Sequence, residues 1–144
     1  MRLRSKPIGL GAVLLVLAAC GGGDLGPDTG AVVTFGFGGR TETMRVLVTD
    51  PVTVAQAEAR IATGTGPSFP IGPIVRGAGI DARYPFHYLP DSVRLAELAV
   101  EVCDGAPMKT PAEVDDFFEG STGDRDASRA VWCPWGAFPI AVDR

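Results

Sequence analysis

The side chains that could carry chemistry in this 144-residue chain are few, and they lie at three places. The single histidine, His87, stands between two aromatic residues. Two acidic residues flank a cysteine in Glu101-Val102-Cys103-Asp104, and a second cysteine stands between two tryptophans in Trp132-Cys133-Pro134-Trp135. These three places hold the candidate site.

His87 is the only imidazole that could act as a general acid, a general base or a metal ligand. Glu101 and Asp104 end a predicted strand that could lie beside it, so the three residues could form a metal-binding or hydrolytic centre. A histidine in an aromatic strand is more often packed, with its nitrogens hydrogen-bonded locally. The favoured function is therefore a non-catalytic binding module, with no catalytic residue, metal or cofactor assigned.

Trp132 and Trp135 are the other candidate ligand contacts. Together with the aromatic residues around His87 they could line a face that binds a sugar or a peptide, although packing in the core and around a disulfide is the more frequent use. A partly exposed tryptophan beside Pro134 would favour binding. The sequence leaves open whether the ligand is a protein, a peptide or a glycan.

The first twenty residues predict the location of the protein. Three basic residues precede a short apolar run at residues 8–17, and small residues then lead to Cys20. This is the pattern of a secretory signal peptide, because the apolar run is shorter than the roughly 20 residues that span a bilayer. Leu17-Ala18-Ala19-Cys20 also resembles the lipobox of bacterial lipoproteins.

The lipobox resemblance implies that residues 1–19 are removed and that Cys20 carries a diacylglycerol and a further acyl chain such as palmitate. Two or three acyl chains attach a protein stably to a membrane. Residues 20–30 are glycine-rich and predict a flexible tether. The predicted location is thus the cell membrane or outer membrane, with the domain facing the periplasm or the cell exterior.

The mature chain is predicted to be a single acidic domain, residues 31–144, with one core. Removing the leader, with three basic and no acidic residues, changes the formal net charge from −4 to −7. An acidic surface repels nucleic acid, so no nucleic-acid partner is expected. Outside the cytoplasm Cys103 and Cys133 are predicted to form a disulfide, which should contribute about 3.5 kcal/mol of stability.

The apolar and turn residues predict an α+β domain, in which a mostly antiparallel sheet packs against one main helix and a second short helix. Residues 31–37 and 42–48 predict a β-hairpin. Capping residues predict helices from about Pro51 to Ala62 and from about Pro111 to Phe118, followed by an exposed loop at 119–128. Further strands are predicted at residues 84–89, 96–103 and 138–142, and residues 71–76 predict at most a short edge strand.

Three segments are similar to the landmarks of a known family: Pro85 to Val93, Glu101 to Gly105, and Trp132 to Trp135. This family is a small extracellular domain of bacterial secreted proteins and of the N-terminal part of a slime-mould binding protein of seventy-four kilodaltons. The resemblance covers about residues 33–142 and implies the fold and an extracellular location, without an established activity. Family members often read His-Leu-Asp-Pro where this chain has Leu89 in place of the aspartate, with Asp91 two residues further on.

Overall fold

The computed structural model describes residues 30–99 and 101–144, so the leader, Cys20 and the tether up to residue 29 lie outside the described residues. A 3₁₀ turn at Glu101–Cys103 precedes the second helix. The other elements, in chain order, are β1 (Ala31–Phe37), β2 (Thr43–Val48), α1 (Pro51–Thr63), β3 (Phe69–Arg76), β4 (Phe86–Tyr88), β5 (Arg94–Ala96), α2 (Pro111–Thr122), β6 (Ala130–Trp132) and β7 (Ala137–Asp143).

The strands form two antiparallel sheets, where one sheet was the expectation. In the first sheet β1 lies between β2 and β7. In the second, β3 pairs with β4, β5 and β6. Helix α1 contacts β7 of the first sheet and β5 of the second, and buries Val54 and Ala57. The predicted α+β class is confirmed.

Local rules place the hairpin and the starts of both helices where they were predicted. The Asp50 side chain accepts the Thr53 N–H at 3.0 Å, ahead of Pro51 in the first turn of α1. Thr110 and Glu113 form a reciprocal capping box at the start of α2. No helix within residues 30–99 and 101–144 is long and apolar enough to span a membrane.

Helix α2 is longer than predicted. The glycine and polar residues after Phe118 are typical of a loop, yet the helix continues through Gly120 to Thr122. It ends at Gly123, which adopts a left-handed φ of 75° and donates its N–H to the Glu119 carbonyl at 2.8 Å. The cap that stops the helix is therefore the second glycine, because that is where the chain takes the conformation that glycine favours.

β3 is the centre of its sheet, so the prediction of at most a short edge strand is wrong. It pairs with three strands although it contains two prolines within the paired region. Pro70 lies opposite Leu95 of β5, and Pro73 lies opposite Val131 of β6. Because each partner spans only three residues, a proline interrupts one short ladder while the other ladders continue.

The predicted strand from Ala96 to Cys103 is wrong beyond its first residue, since β5 ends at Ala96. The reason is the lack of a partner strand, because β3 begins at Phe69 and the ladder closes with the Ser68 N–H to Ala96 carbonyl bond of 3.0 Å. Leu98 and Val102, which belong to the alternating pattern, are 90% and 71% exposed. Val100, in the same pattern, is outside the described residues.

The other strands differ from the predictions in extent. β4 has three residues where six were predicted, and β7 extends the predicted last strand by one residue at each end. β6 was not predicted. Its three residues end at Trp132 and bring the tryptophan against β3, with Gly72 of β3 opposite it.

Candidate functional site

The two predicted partner cysteines form a disulfide, which ties the 3₁₀ turn to the segment after β6. The Cα atoms of Cys103 and Cys133 are 5.1 Å apart, and the Cys133 N–H donates to the Cys103 carbonyl at 2.7 Å. Both residues are buried. Because β5 and β6 both pair with β3, this covalent bond stabilises the arrangement of two partners of one strand.

The two tryptophans have different environments. Trp132 is fully buried, with its ring edge-on to Phe86 at 5.0 Å and stacked on Tyr88 at 5.5 Å between ring centroids. Its indole N–H donates to the Gly105 carbonyl at 3.2 Å. Trp135 is 42% exposed, and Asp104 accepts its backbone N–H at 2.9 Å. Trp132 is thus a core residue, while the Trp135 side chain is accessible to a partner.

His87 lies on β4, opposite Val75 of β3, and is half-buried. Its Nδ1 atom is 2.7 Å from the Gly77 carbonyl oxygen. A carbonyl can only accept, so Nδ1 must donate and carries the proton, which leaves Nε2 of the neutral ring as an acceptor. The backbone of Gly79 packs on the same side chain, since a Cβ atom at residue 79 would stand 2.7 Å from the His87 Cβ.

A cavity of about 270 Å³ opens beside His87 and is called the His87 cavity below. This volume is close to the lower end of the range for ligand pockets, roughly 300 Å³. The lining is mostly apolar, and its polar side chains belong to Arg45, Asp81, His87 and Tyr88. The remaining lining residues are Met44, Val46, Leu47, Gly79, Ile80, Phe86 and Pro90.

Asp81 and Arg83 form a clamp on one end of β2, called the Asp81 clamp below. Asp81 accepts the Arg45 backbone N–H at 3.0 Å and is held by Arg83 through two side-chain hydrogen bonds of 2.8 and 2.7 Å. Arg83 also donates to the Thr43 carbonyl at 2.9 Å, as does the Tyr84 hydroxyl. The buried carboxylate therefore connects β2 to the segment before β4.

Asp81→Asn is expected to lower the free energy of unfolding by about 1 to 2 kcal/mol at neutral pH. The side-chain hydrogen bond from Arg83 is the main reason that the pKa of Asp81 falls from 3.8 to about 2. Because the pKa is lowered on folding, the ionised carboxylate stabilises the protein above about pH 4, and this contribution is lost as the pH falls through about 2. Urea unfolding at several pH values measures both effects.

The matched control for Asp81→Asn is Asp143→Asn, which changes an exposed carboxylate at the end of β7. This control should unfold with the pH dependence of the unaltered protein. Identical acid profiles for Asp81→Asn and the unaltered protein would show that the clamp contributes nothing to stability.

The structure does not assemble the candidate metal or hydrolytic centre. Asp104 accepts from Trp135, and Asp91 accepts the Ser92 hydroxyl at 3.0 Å, so neither partner involves His87. Glu101 begins the 3₁₀ turn instead of ending a strand beside β4. In the part of the chain that the structure describes, no group of three His, Cys, Asp or Glu residues is placed to hold a metal ion.

A family model, the N-terminal domain of the seventy-four-kilodalton binding protein, matches residues 30–142. The chain belongs to this binding-protein N-terminal domain family. The match confirms the family resemblance and includes the Cys103–Cys133 disulfide and all residues of the His87 cavity. No curated protein and no solved structure matches the chain. For this binding-protein N-terminal domain, the interpretation of the site therefore depends on its own residues.

Arg45, Gly79 and Asp81 belong to the site but are not singled out by sequence reasoning. Gly77-Ala78-Gly79 is a usable signal, because glycine often marks a close approach of the backbone to another group, and Gly79 does approach His87. No local pattern links Arg45 to Asp81, which lie 36 residues apart in the chain. Only the tertiary structure brings these two together.

Proposed function

We propose that this protein is a lipid-anchored cell-envelope protein whose binding-protein N-terminal domain binds a ligand in the His87 cavity without transforming it. The observation that carries the proposal is the cavity itself, an apolar hollow with two polar side chains that have bonding capacity left. A mostly apolar pocket with a few polar groups is the usual form of a ligand site.

The two polar side chains available to a ligand are His87 and Arg45. The Nε2 atom of His87 is an acceptor in the neutral ring, because Nδ1 already donates to Gly77. Arg45 is exposed, and among the described residues its guanidinium group has no ion pair or hydrogen bond. A ligand with a hydrogen-bond donor and a negative group would therefore find a partner for each.

Binding is favoured over catalysis because the groups for bond cleavage are not arranged in the cavity. The Asp81 carboxylate is engaged by Arg83. The Tyr88 hydroxyl donates to the backbone carbonyls of Trp132 and Pro70 at 3.3 and 3.4 Å, and burial raises its pKa. The lining has no serine, cysteine, threonine or lysine. Neither an activated nucleophile nor a histidine–carboxylate pair is available there.

The anchor is the second part of the proposal. It is supported by the resemblance of Leu17-Ala18-Ala19-Cys20 to a lipobox and by the glycine-rich tether that follows. Attachment at Cys20 would place the domain on the outer side of a membrane, where a disulfide is stable. Mass spectrometry of the mature N-terminus tests this part: an unmodified Cys20 or an intact leader would contradict it.

The single histidine provides a specific assay for the cavity. Fragments from a library that includes carboxylic acids should change the NMR signals of the His87 ring. Gly79→Ala should weaken the best fragments by about tenfold or more, because the new methyl group would displace the imidazole. This measurement needs no knowledge of the natural ligand.

The control for Gly79→Ala is Gly120→Ala on α2, where a Cβ atom would meet nothing within 4 Å. Fragment binding should be unchanged in that variant. If no fragment perturbs His87, or if Gly79→Ala binds as well as the unaltered protein, the cavity is not the ligand site.

A further inference from the structure

β2 is an edge strand, and part of its edge is open. An antiparallel strand turns the backbone groups of alternate residues away from its partner. In β2 these residues are Thr43, Arg45 and Leu47, because the Arg45 N–H donates to Asp81 instead of to β1. The edge thus presents a row of N–H and C=O groups outside the β1–β2 ladder.

Both ends of this row are closed. At one end the Asp81 clamp takes the Thr43 carbonyl and the Arg45 N–H. At the other end the Thr49 N–H donates to the Pro90 carbonyl at 3.0 Å. Between them remain the Arg45 carbonyl and the N–H and carbonyl of Leu47, which have no hydrogen bond to any described residue off the β1 ladder. These three groups are called the β2 window.

The β2 window identifies the class of ligand by its pattern of donors and acceptors. A carbonyl, an N–H and a second carbonyl at the spacing of a strand match the backbone of another extended chain. Arg45, Val46 and Leu47 also line the His87 cavity, so a chain paired with the window would direct a side chain toward the apolar lining, which includes Ile80 and Phe86.

The charge beside the window adds a second requirement. Arg45 is exposed and, among the described residues, carries an unpaired guanidinium group in a domain whose formal charge is negative overall. Guanidinium groups bind carboxylates through paired, charge-assisted hydrogen bonds. A carboxylate on the bound chain, either its C-terminus or an acidic side chain, would complement this group.

We propose that the ligand of the His87 cavity is a short extended peptide segment of a partner protein, apolar and bearing a carboxylate, which adds as a strand to the β2 window. This rests on the proposed function, because it names the ligand class of the same cavity. Main-chain hydrogen bonds to Arg45 and Leu47 provide affinity, the cavity selects an apolar side chain, and the Arg45 guanidinium group binds the carboxylate.

A second copy of this chain is a poorer occupant of the window. Pairing of two β2 edges would bring the Asp81 clamp and the Thr49–Pro90 bond of each copy against the other, where no free backbone groups remain. It would also bring two unpaired Arg45 side chains close together, and like charges repel. The short window therefore favours a short peptide over a continuous sheet between copies.

The test uses the chain from residue 20 with serine in place of Cys20, and a set of acetylated hexapeptides of alternating valine and threonine with one leucine. Three forms are compared: a free C-terminus, a C-terminal amide, and an amide with an internal aspartate. On binding, the Leu47 amide should become protected from hydrogen exchange and the His87 signals should shift. N-methylation of the peptide residue opposite Leu47 should weaken binding about tenfold or more.

Arg45→Gln separates the contribution of the carboxylate from that of the backbone. It should weaken the two carboxylate-bearing peptides about tenfold and leave the neutral amide nearly unchanged. Arg129→Gln removes an equally exposed arginine, which lies beside a different cavity, and should have no effect. The two carboxylate forms show whether a C-terminus or an acidic side chain is preferred.

The outcomes separate this inference from the proposed function. If the fragments perturb His87 but no peptide protects Leu47, or if N-methylated peptides bind equally well, the peptide is the wrong ligand and the cavity remains a binding site. If neither fragments nor peptides perturb His87, both proposals fail. Protection of Leu47 that rises with protein concentration alone would overturn the peptide in favour of a second copy.

Discussion

Trp132→Ala is expected to lower the free energy of unfolding by about 4 kcal/mol, the range for removing a large aromatic side chain from a core. The ring is fully buried, contacts Phe86 and Tyr88, and satisfies its N–H with the Gly105 carbonyl. Truncation would leave a void between β4 and β6 and remove a hydrogen bond to the segment after the 3₁₀ turn. Since small domains have about 5 to 15 kcal/mol in total, much of the protein would be unfolded at 37 °C.

The matched control is Trp135→Ala, three residues further along the chain. Its side chain is 42% exposed, and its hydrogen bond to Asp104 uses the backbone N–H, which the substitution keeps. We expect a loss below about 1 kcal/mol. Urea denaturation followed by circular dichroism measures both variants, and similar losses for the two would contradict the assignment of Trp132 to the core.

Removal of the disulfide is the second large effect. A Cys103→Ala, Cys133→Ala double variant should lose about 3.5 kcal/mol, because the bond closes a long loop and restricts the unfolded chain. The two cysteines are 30 residues apart in sequence. Alanine is used because serine would place an additional hydroxyl group at two buried positions. Denaturant unfolding with and without a reducing agent provides the measurement.

The reducing agent supplies the internal control for the disulfide. It should destabilise the unaltered protein by about as much as the double substitution does, and it should leave the double variant unchanged. An unaltered protein that unfolds at the same denaturant concentration in reducing and oxidising conditions would show that the cysteines are not bonded in solution. The connection between β5 and β6 would then depend on packing alone.

The parts of the fold that sequence predicts well are those determined by neighbouring residues. Asp50-Pro51 and Thr110-Pro111 place helix starts because their side chains cap the backbone a few positions away. The hairpin follows from two strand-like segments and a turn at Gly39, whose φ is 72°. Such patterns act over short distances, so a single sequence is sufficient to recognise them.

The errors come from interactions between distant parts of the chain. Residues 96–103 have a strand pattern, but β3 offers no backbone beyond Phe69 with which they could pair. Conversely, residues 69–76 contain two prolines, yet three short strands surround them. Pairing partners decide both cases, and an isolated sequence does not specify them.

The candidate site was predicted in part for the same reason. His87 is at the cavity, Trp132 lies beneath two of the residues that line it, and Trp135 is on a different surface. Rarity made these residues visible, since the chain has one histidine and two tryptophans. Arg45 and the Asp81 clamp are common residue types that acquire a role only through their position beside an open strand edge.

The place of β1 between β2 and β7 also determines how the domain would respond to mechanical force. In the proposed anchored state, a pull from the membrane enters at Gly30 and runs along β1. Hydrogen bonds of antiparallel strands lie across the strand axis, so the bonds on both sides of β1 would be loaded together, in shear. The domain should resist extension far better than a hairpin unzipped from its end, which suits a protein tethered between a membrane and a partner.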